Sequence, residues 1–346
     1  MPDQIELRSD NAAGAAPELL AALAAAGDGS ALAYGGDDDT AALQDVAREV
    51  FEHPDAQVFP VVSGTAANSV ALSALCPPWG SIVCHETAHI FVNEAGAASM
   101  FGGGAVIRGL PGDDFKLHPT GVQRHLDGVN WGDPHHSQPS VISLTCPSDM
   151  GTVYSPAEVS ALTAVARGRT MRTHLDGARL ANAVVANGCP PADLTHRADI
   201  DVFSLGAIKN GAVSTDAIVS FSPDVNDSIM YRLKRAGHVA SKMRFQSAQL
   251  VAYLTDGLWL RLASRSNEAM AALATGLRER EVDLLAPVDA NMAFARVGDD
   301  VADRLEGDGL LFYRMGGGVI RLVTSFQTTL DDVGEVLARF DRALTR

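Results

Sequence analysis

Two residues of this 346-residue chain carry its clearest chemical signal. Asp176 stands in the run His174-Leu175-Asp176-Gly177-Ala178-Arg179-Leu180, and Lys209 in Ser204-Leu205-Gly206-Ala207-Ile208-Lys209-Asn210-Gly211. The acid follows a strand-like run, Thr170 to Leu175, and the lysine follows a more apolar one, Ile200 to Leu205, so both fall at strand ends. A pyridine cofactor needs a carboxylate on its ring nitrogen, which keeps the ring protonated as an electron sink, and a lysine that holds its aldehyde as a Schiff base. Asp176 and Lys209 suit those roles and together read as a pyridoxal 5′-phosphate site. Each alone has an ordinary explanation, a helix N-cap for the acid and a solvated turn for the lysine. The order of the pair, with Arg179 after the acid and Asn210-Gly211 after the lysine, makes the reading specific.

A phosphate also needs a seat. Ser63-Gly64-Thr65 follows an apolar run and opens the helix-like stretch Ala66 to Leu75, so its amides and hydroxyls can hold an anion at a helix N-terminus. A capped helix without a ligand is the plain alternative, and Asp176 and Lys209 downstream favour the ligand. Gly102-Gly103-Gly104 and Gly316-Gly317-Gly318 lack the strand-to-helix context of a dinucleotide or P-loop site and read as turns.

These groups must be positioned by an open sheet, whose ligands lie beyond the carboxyl ends of its strands. Seven strand-like runs, Val58 to Val62, Ser81 to Cys84, Ala105 to Ile107, Val141 to Thr145, Thr170 to Leu175, Val202 to Leu205 and Ala217 to Phe221, are separated mostly by helix-like stretches. That pattern predicts a mainly parallel α/β sheet. Ser155-Pro156-Ala157-Glu158, a cap, an N1 proline and an early acid, predicts a helix to about Arg167. Leu19, Leu20 and Leu23 give the alanine-rich Ala21 to Ala26 region a helical apolar stripe. Asp227 to Leu262 and Asn267 to Glu281 read as mostly helical, and strands near Asn291 to Arg296 and Gly318 to Val323 mark a smaller α+β unit, with the boundary expected near Tyr231.

Length and a hydrophobic content of 47% allow a full core in one large and one smaller unit. Cys76, Cys84, Cys146 and Cys189 lack close ligand spacing, which argues for buried thiols in a reducing compartment and against a zinc site or disulfide framework. His135-His136 reads as an exposed loop, and no metal is expected. No export signal and no uninterrupted span of eighteen apolar residues is seen, so a cytoplasmic protein is expected. A net charge of −15 argues against nucleic-acid and anionic-membrane partners.

The chain resembles the aspartate-aminotransferase fold group of pyridoxal phosphate enzymes (fold type I) and, within it, the threonine aldolase family, nearly end to end. The likeness is carried by the Asp176 and Lys209 runs, Leu7-Arg8-Ser9-Asp10-Asn11, Tyr34-Gly35-Gly36-Asp37 with Thr40, Ser63-Gly64-Thr65-Ala66-Ala67-Asn68, Ala88-His89-Ile90 with Glu94-Ala95-Gly96, and Ile320-Arg321-Leu322-Val323-Thr324. Ser241-Lys242-Met243-Arg244-Phe245 looks like the low-specificity bacterial L-threonine aldolases in particular. The resemblance implies a large cofactor domain over residues 1–231 and a small C-terminal domain over 232–346. It implies retro-aldol cleavage of a β-hydroxy-α-amino acid to glycine and an aldehyde; an aminotransferase, a racemase, a β-eliminating lyase and a weakened cofactor-binding protein are the alternatives. It places His89 against the pyridine face, with His85 a nearby competitor, makes Arg179 and Arg321 the clamp on the substrate carboxylate with Ser9 as helper, and sends Arg244 toward the phosphate of a neighbouring subunit's site. A homodimer or homotetramer with shared sites is therefore expected. Two positions depart from the pattern. Gly206-Ala207-Ile208 stands where relatives usually have Gly-Gly-Thr, removing a hydroxyl that could reach the phosphate, and Asp149, after Ser148, aligns with a candidate base that is often a histidine or glutamate.

Overall fold

In the computed structural model, which describes residues 4–345, the chain forms thirteen strands: β1 (Ile5–Glu6), β2 (Gln57–Val61), β3 (Gly80–His85), β4 (Val106–Leu110), β5 (Gln138–Thr145), β6 (Arg172–Gly177), β7 (Val202–Leu205), β8 (Asp216–Ser220), β9 (Asp283–Leu284), β10 (Met292–Arg296), β11 (Leu310–Leu311), β12 (Tyr313–Gly316) and β13 (Val319–Val323). Seven of them make one sheet in the order β2-β8-β7-β6-β5-β3-β4. β8 runs antiparallel to β2 and β7, and the other neighbouring pairs are parallel. Alternate side chains feed two cores, as the two-residue period of a strand requires. Val83, Ile142, Leu144, Leu175, Phe203 and Val219 pack with Phe51 and Trp259 on one face. Ile82, Cys84, Val141, Val202 and Ile218 pack with Val70, Leu72 and Ile229 on the other.

Local signals set the element ends. Ser155 and Glu158 form a reciprocal capping box at the start of the helix Pro156–Arg167. Thr170 has φ 56°, a left-handed conformation, so β6 begins only at Arg172 and takes in Asp176. Of the stripe on the helix Pro17–Ala25 only Leu19 is buried. The region expected to be helical from Asp227 to Leu262 is three helices, Pro223–Arg235, Arg244–Leu254 and Leu258–Glu279, the last running unbroken through the gap expected after Leu262. Asp256 and Gly257, both at positive φ, make the turn before it.

The smaller unit is the antiparallel sheet β12-β13-β10-β9 backed by the last helix, Leu330–Leu344. Gly316, Gly317 and Gly318 all have positive φ and form the β12–β13 turn. Its core joins Met270, Leu273, Ile320, Leu322 and Phe340 to Leu7 from the other end of the chain, where β1 pairs with β11. Trp259 and Leu262 on the long helix belong to the large core, whereas Met270 and Leu273, about two and three turns after Leu262, belong to the small one. Tyr231 lies within Pro223–Arg235, a helix whose Val225, Ile229 and Leu233 pack under the large sheet. No helix among the described residues is long and apolar enough to cross a membrane. All four cysteines are free.

Candidate active site

Asp176 and Lys209 face one cavity of about 230 Å³ at the carboxyl edge of the large sheet. Neighbouring strands put them there: Asp176 is the next-to-last residue of β6, and Lys209 sits in a short turn, Ile208–Asn210, just after β7. Glycine is required where these two segments cross. A Cβ on Gly206 would lie 2.1 Å from the Ala178 carbonyl oxygen and one on Gly177 2.5 Å from that of Ser204, while the Gly206 amide donates to the Gly177 carbonyl at 3.1 Å.

At one end of the cavity the polar groups form a continuous network, buried at Asp176, Asn68 and Glu94 and partly exposed at His89. Asp176 Oδ1 accepts from the Ala178 amide at 3.0 Å and from Ser204 Oγ at 3.3 Å. The Asn68 amide group donates to Asp176 Oδ2 and to Glu94 Oε1, both at 2.9 Å. Glu94 Oε1 is also 2.8 Å from His89 Nδ1, an arrangement that makes Nδ1 the protonated nitrogen and leaves Nε2 the free one. Glu94 holds the His89 pKa above its ordinary value, with burial opposing. The His89 amide donates to Asp149 Oδ2 at 2.9 Å. Burial and the nearby Asp176 charge push Asp149 up to about 6, against the pull of His89 and Arg179.

The opposite end is sparser. Ser63 Oγ caps the helix Gly64–Leu75 through the Ala66 amide, leaving the Gly64 and Thr65 amides without an acceptor among the described residues. Ile208 offers no hydroxyl, and its amide, with that of Ala207, is taken by Asp216 Oδ1 at 3.0 and 2.7 Å. The Lys209 amine has no hydrogen-bond or ion-pair partner among the described residues. Burial and then Arg179 lower its pKa, which favours the free amine a nucleophile needs, while Asp10, Asp176 and Asp216 oppose that shift.

The remaining expected residues divide. Arg179 lines the cavity, but its fork is engaged: Nε and Nη2 donate to the two oxygens of buried Asp10 at 2.6 and 2.9 Å. Only its remaining N–H groups are free for a further carboxylate. Arg321 lies above the Tyr313 ring, donates from Nη2 to the Arg8 carbonyl, and keeps a buried Nε with no partner among the described residues. Ser9 caps the Asn11 amide and leans on Asp10. Arg244 reaches the Asp28 and Gly29 carbonyls and lies over Phe245, away from its own chain's cavity. His85 turns away, to Thr87 and the Gly112 carbonyl, and His136 pairs with Asp133 in an exposed turn. Sequence reasoning left out Asp10, Asn68, Glu94, Thr145 and Asp216 as site residues. Asp10, Asn68 and Glu94 stand inside the motifs that carried the resemblance, whereas Asp216 and Thr145 read as ordinary strand-end residues.

Known proteins resemble this chain over most of its length. The family model described as beta-eliminating lyase matches residues 6–300. A low specificity L-threonine aldolase of Pseudomonas aeruginosa is 38% identical over 96% of this chain and 95% of its own length, and that of a Pseudomonas species is 38% identical over 98% of both. A solved threonine aldolase structure from Leishmania major superposes with a TM-score of 0.90, at 25% identity, covering 97% of this chain and 98% of that one. The chain belongs to the threonine aldolase family. Aspartate aminotransferase from Thermus thermophilus, with a TM-score of 0.70 at 16% identity over 99% of this chain and 92% of that one, shares its fold.

The cavity fits the cofactor that this family membership implies, pyridoxal 5′-phosphate. One end offers unpaired amides at a helix N-terminus, which suit a phosphate; the other offers a buried carboxylate. The same cavity holds the Lys209 amine and the buried Thr145 hydroxyl, both without a partner among the described residues, Thr145 lying in register beside Asp176.

Proposed function

We propose that this protein cleaves L-threonine, L-allo-threonine or related β-hydroxy-α-amino acids into glycine and an aldehyde by a pyridoxal phosphate-dependent retro-aldol reaction. The observation that carries the reading is the placement of Asp176 and Lys209 in one cavity that His89 and Asp149 also line, in a chain of this family. When bound, the cofactor supplies an electron sink for the bond broken at the substrate's α-carbon. Lys209 holds the cofactor's aldehyde carbon. Asp176, kept in place by Ala178, Ser204 and Asn68, holds the proton on the ring nitrogen. Ser63, Gly64 and Thr65 bind the phosphate. His89 lies against the ring face, and its free Nε2 or the Asp149 carboxylate takes the proton of the substrate's β-hydroxyl. A base with a pKa of about 6 is ionised at neutral pH yet still able to hold a proton, which suits Asp149 to that step. Arg321 and the free N–H groups of Arg179 bind the substrate carboxylate, with Ser9 supporting Asp10 beneath them.

In this reading Arg321, which does not line the cavity itself, reaches the substrate from the small unit; we keep the large cofactor domain at residues 1–231 and the small one at 232–346. Arg244 serves the phosphate in a neighbouring subunit, since it points away from its own cavity, and the protein is a cytoplasmic homo-oligomer, dimer or tetramer. The test is a panel of β-hydroxy amino acids assayed for glycine and aldehyde release. Stoichiometric glycine and aldehyde are expected; a keto acid with the cofactor left in its amine form would replace this reading with transamination.

A further inference from the structure

One buried acid at the phosphate end has no part in the chemistry above. Asp216 begins β8, in register with Val61 of β2, the strand that leads into Ser63. It is 6% exposed. Oδ1 is held by the Ala207 and Ile208 amides, the two that precede Lys209. Oδ2 has no hydrogen-bond partner among the described residues and faces the cavity, 3.8 Å from where a Cβ on Gly64 would stand. A carboxylate thus occupies the helix N-terminus to which the proposed function assigns the phosphate.

Two anions in contact inside a poorly solvated cavity cannot both stay fully charged; one proton is shared between them. No cationic side chain of the strands and helix packed on Asp216 relieves the conflict. The elements packed around Asp216, Val202–Leu205, Gln57–Val61 and the helix Gly64–Leu75, contain no charged residue. Lys209 is the charged group of the adjoining turn and is committed to the cofactor's aldehyde in this reading; Asp176 adds negative charge. His89, Glu94, Asp149 and Arg179 line the same cavity. Burial already moves the Asp216 carboxyl above its ordinary pKa, with the two amides and Lys209 opposing. At the same place Ile208 provides neither a hydroxyl nor a free amide.

We propose that Asp216 is a phosphate ligand: as the cofactor binds, Oδ2 takes up one proton from solvent and donates it in an O–H···O hydrogen bond to a phosphate oxygen. The inference rests on the pyridoxal phosphate reading and adds to it a donor that replaces the one lost at Ile208. Asp216 also positions Lys209 through the two amides, so a substitution must separate charge from loop support. Asp216→Asn does so, because an amide oxygen still accepts from Ala207 and Ile208 while the NH2 group donates to phosphate without titrating.

The experiment measures the affinity of wild type, Asp216→Asn and Asp216→Ala for pyridoxal 5′-phosphate from pH 6 to 9, reading the absorbance of the lysine-linked cofactor. Pyridoxal, which lacks the phosphate, is the control. In wild type, pyridoxal phosphate affinity should fall toward about tenfold per pH unit once Asp216 ionises, beyond any fall seen with pyridoxal. Asp216→Asn should lose that extra slope and bind more tightly than wild type at pH 9. Asp216→Ala should also lose the extra slope and should bind more weakly than Asp216→Asn at every pH, because it offers neither a donor to the phosphate nor an acceptor for the Ala207 and Ile208 amides. Calorimetry in buffers of different ionisation enthalpy should find one more proton taken up by wild type than by Asp216→Asn. Equal slopes in wild type and Asp216→Asn, or equal proton uptake, overturn the assignment while leaving the cofactor reading intact. Wild type that forms no lysine-linked cofactor overturns both.

Discussion

The two ends of the cavity are built on opposite plans. At the ring end, Asp176, Asn68 and Glu94 are linked to the partly exposed His89 in one chain of hydrogen bonds, so each group is oriented before any ligand arrives. At the phosphate end, the Gly64 and Thr65 amides are unpaired, Ile208 has no hydroxyl, and Asp216 shows the cavity an unpartnered oxygen. The contrast follows the chemistry expected at each end. Preorganised dipoles stabilise charge that develops during reaction without having to move, whereas a phosphate brings its own charge and needs only donors left open for it. Damage at the ring end should therefore appear in turnover, and damage at the phosphate end in cofactor affinity.

The largest effect that breaks the comparison comes from the residue shared by both ends. Lys209→Ala should abolish borohydride-trapped cofactor and reduce activity to background, and stable labelling at another lysine would remove Lys209 from the site. Asp176→Asn should still bind cofactor but lose roughly a thousandfold in turnover, about 4 kcal/mol in the barrier, because the neutral amide no longer holds the ring proton. Near-normal turnover would show that the ring end does not act as an electron sink.

Glu94→Gln is expected to cost roughly ten- to a hundredfold in turnover, since Glu94 orients His89 and raises its pKa. The sign of its effect on stability is set by the same shift. A histidine that binds its proton more tightly when folded adds stability that is complete below about pH 6.5, the unfolded value, and lost as pH rises through the higher folded value. Glu94→Gln should accordingly lower the melting temperature more at pH 6 than at pH 8.5; an equal loss at both would mean that Glu94 serves packing alone.

Arg321→Lys keeps the charge and removes the planar fork, so kcat/KM on threonine should fall roughly tenfold, with KM raised, kcat lowered and cofactor absorbance unchanged. Unaltered constants would return Arg321 to the surface. The smallest change sharpens the contrast from the other side. Ile208→Thr restores a hydroxyl at the phosphate end and should tighten cofactor binding by about threefold to tenfold, on the scale of one hydrogen bond, with little change in kcat at saturating cofactor.

Much of this molecule was legible in the chain because the signals are local. Strands buried on both faces read as apolar runs, a Ser-Pro-x-Glu start caps its own helix, and the motif residues Asp176, His89 and Lys209 each follow or close an element whose end is written beside them. The family resemblance extended that reading to Arg321, which sits more than a hundred residues from the lysine. Only the folded chain decided which acids meet which bases. Arg179, expected as a free clamp, has its fork closed by Asp10, which lies 169 residues earlier. Asn68 and Glu94 join Asp176 and His89 across two helices, a loop and a strand, and Asp216 reaches back from an antiparallel strand to the turn that carries Lys209. Such pairings depend on strand order and on the close crossing that Gly177 and Gly206 permit, and neither leaves a periodicity or a spacing in the sequence. The kinds of groups available were determined by local sequence; their partners, and hence their charge states, were determined by tertiary contacts, because a hydrogen bond is specified in space and not along the chain.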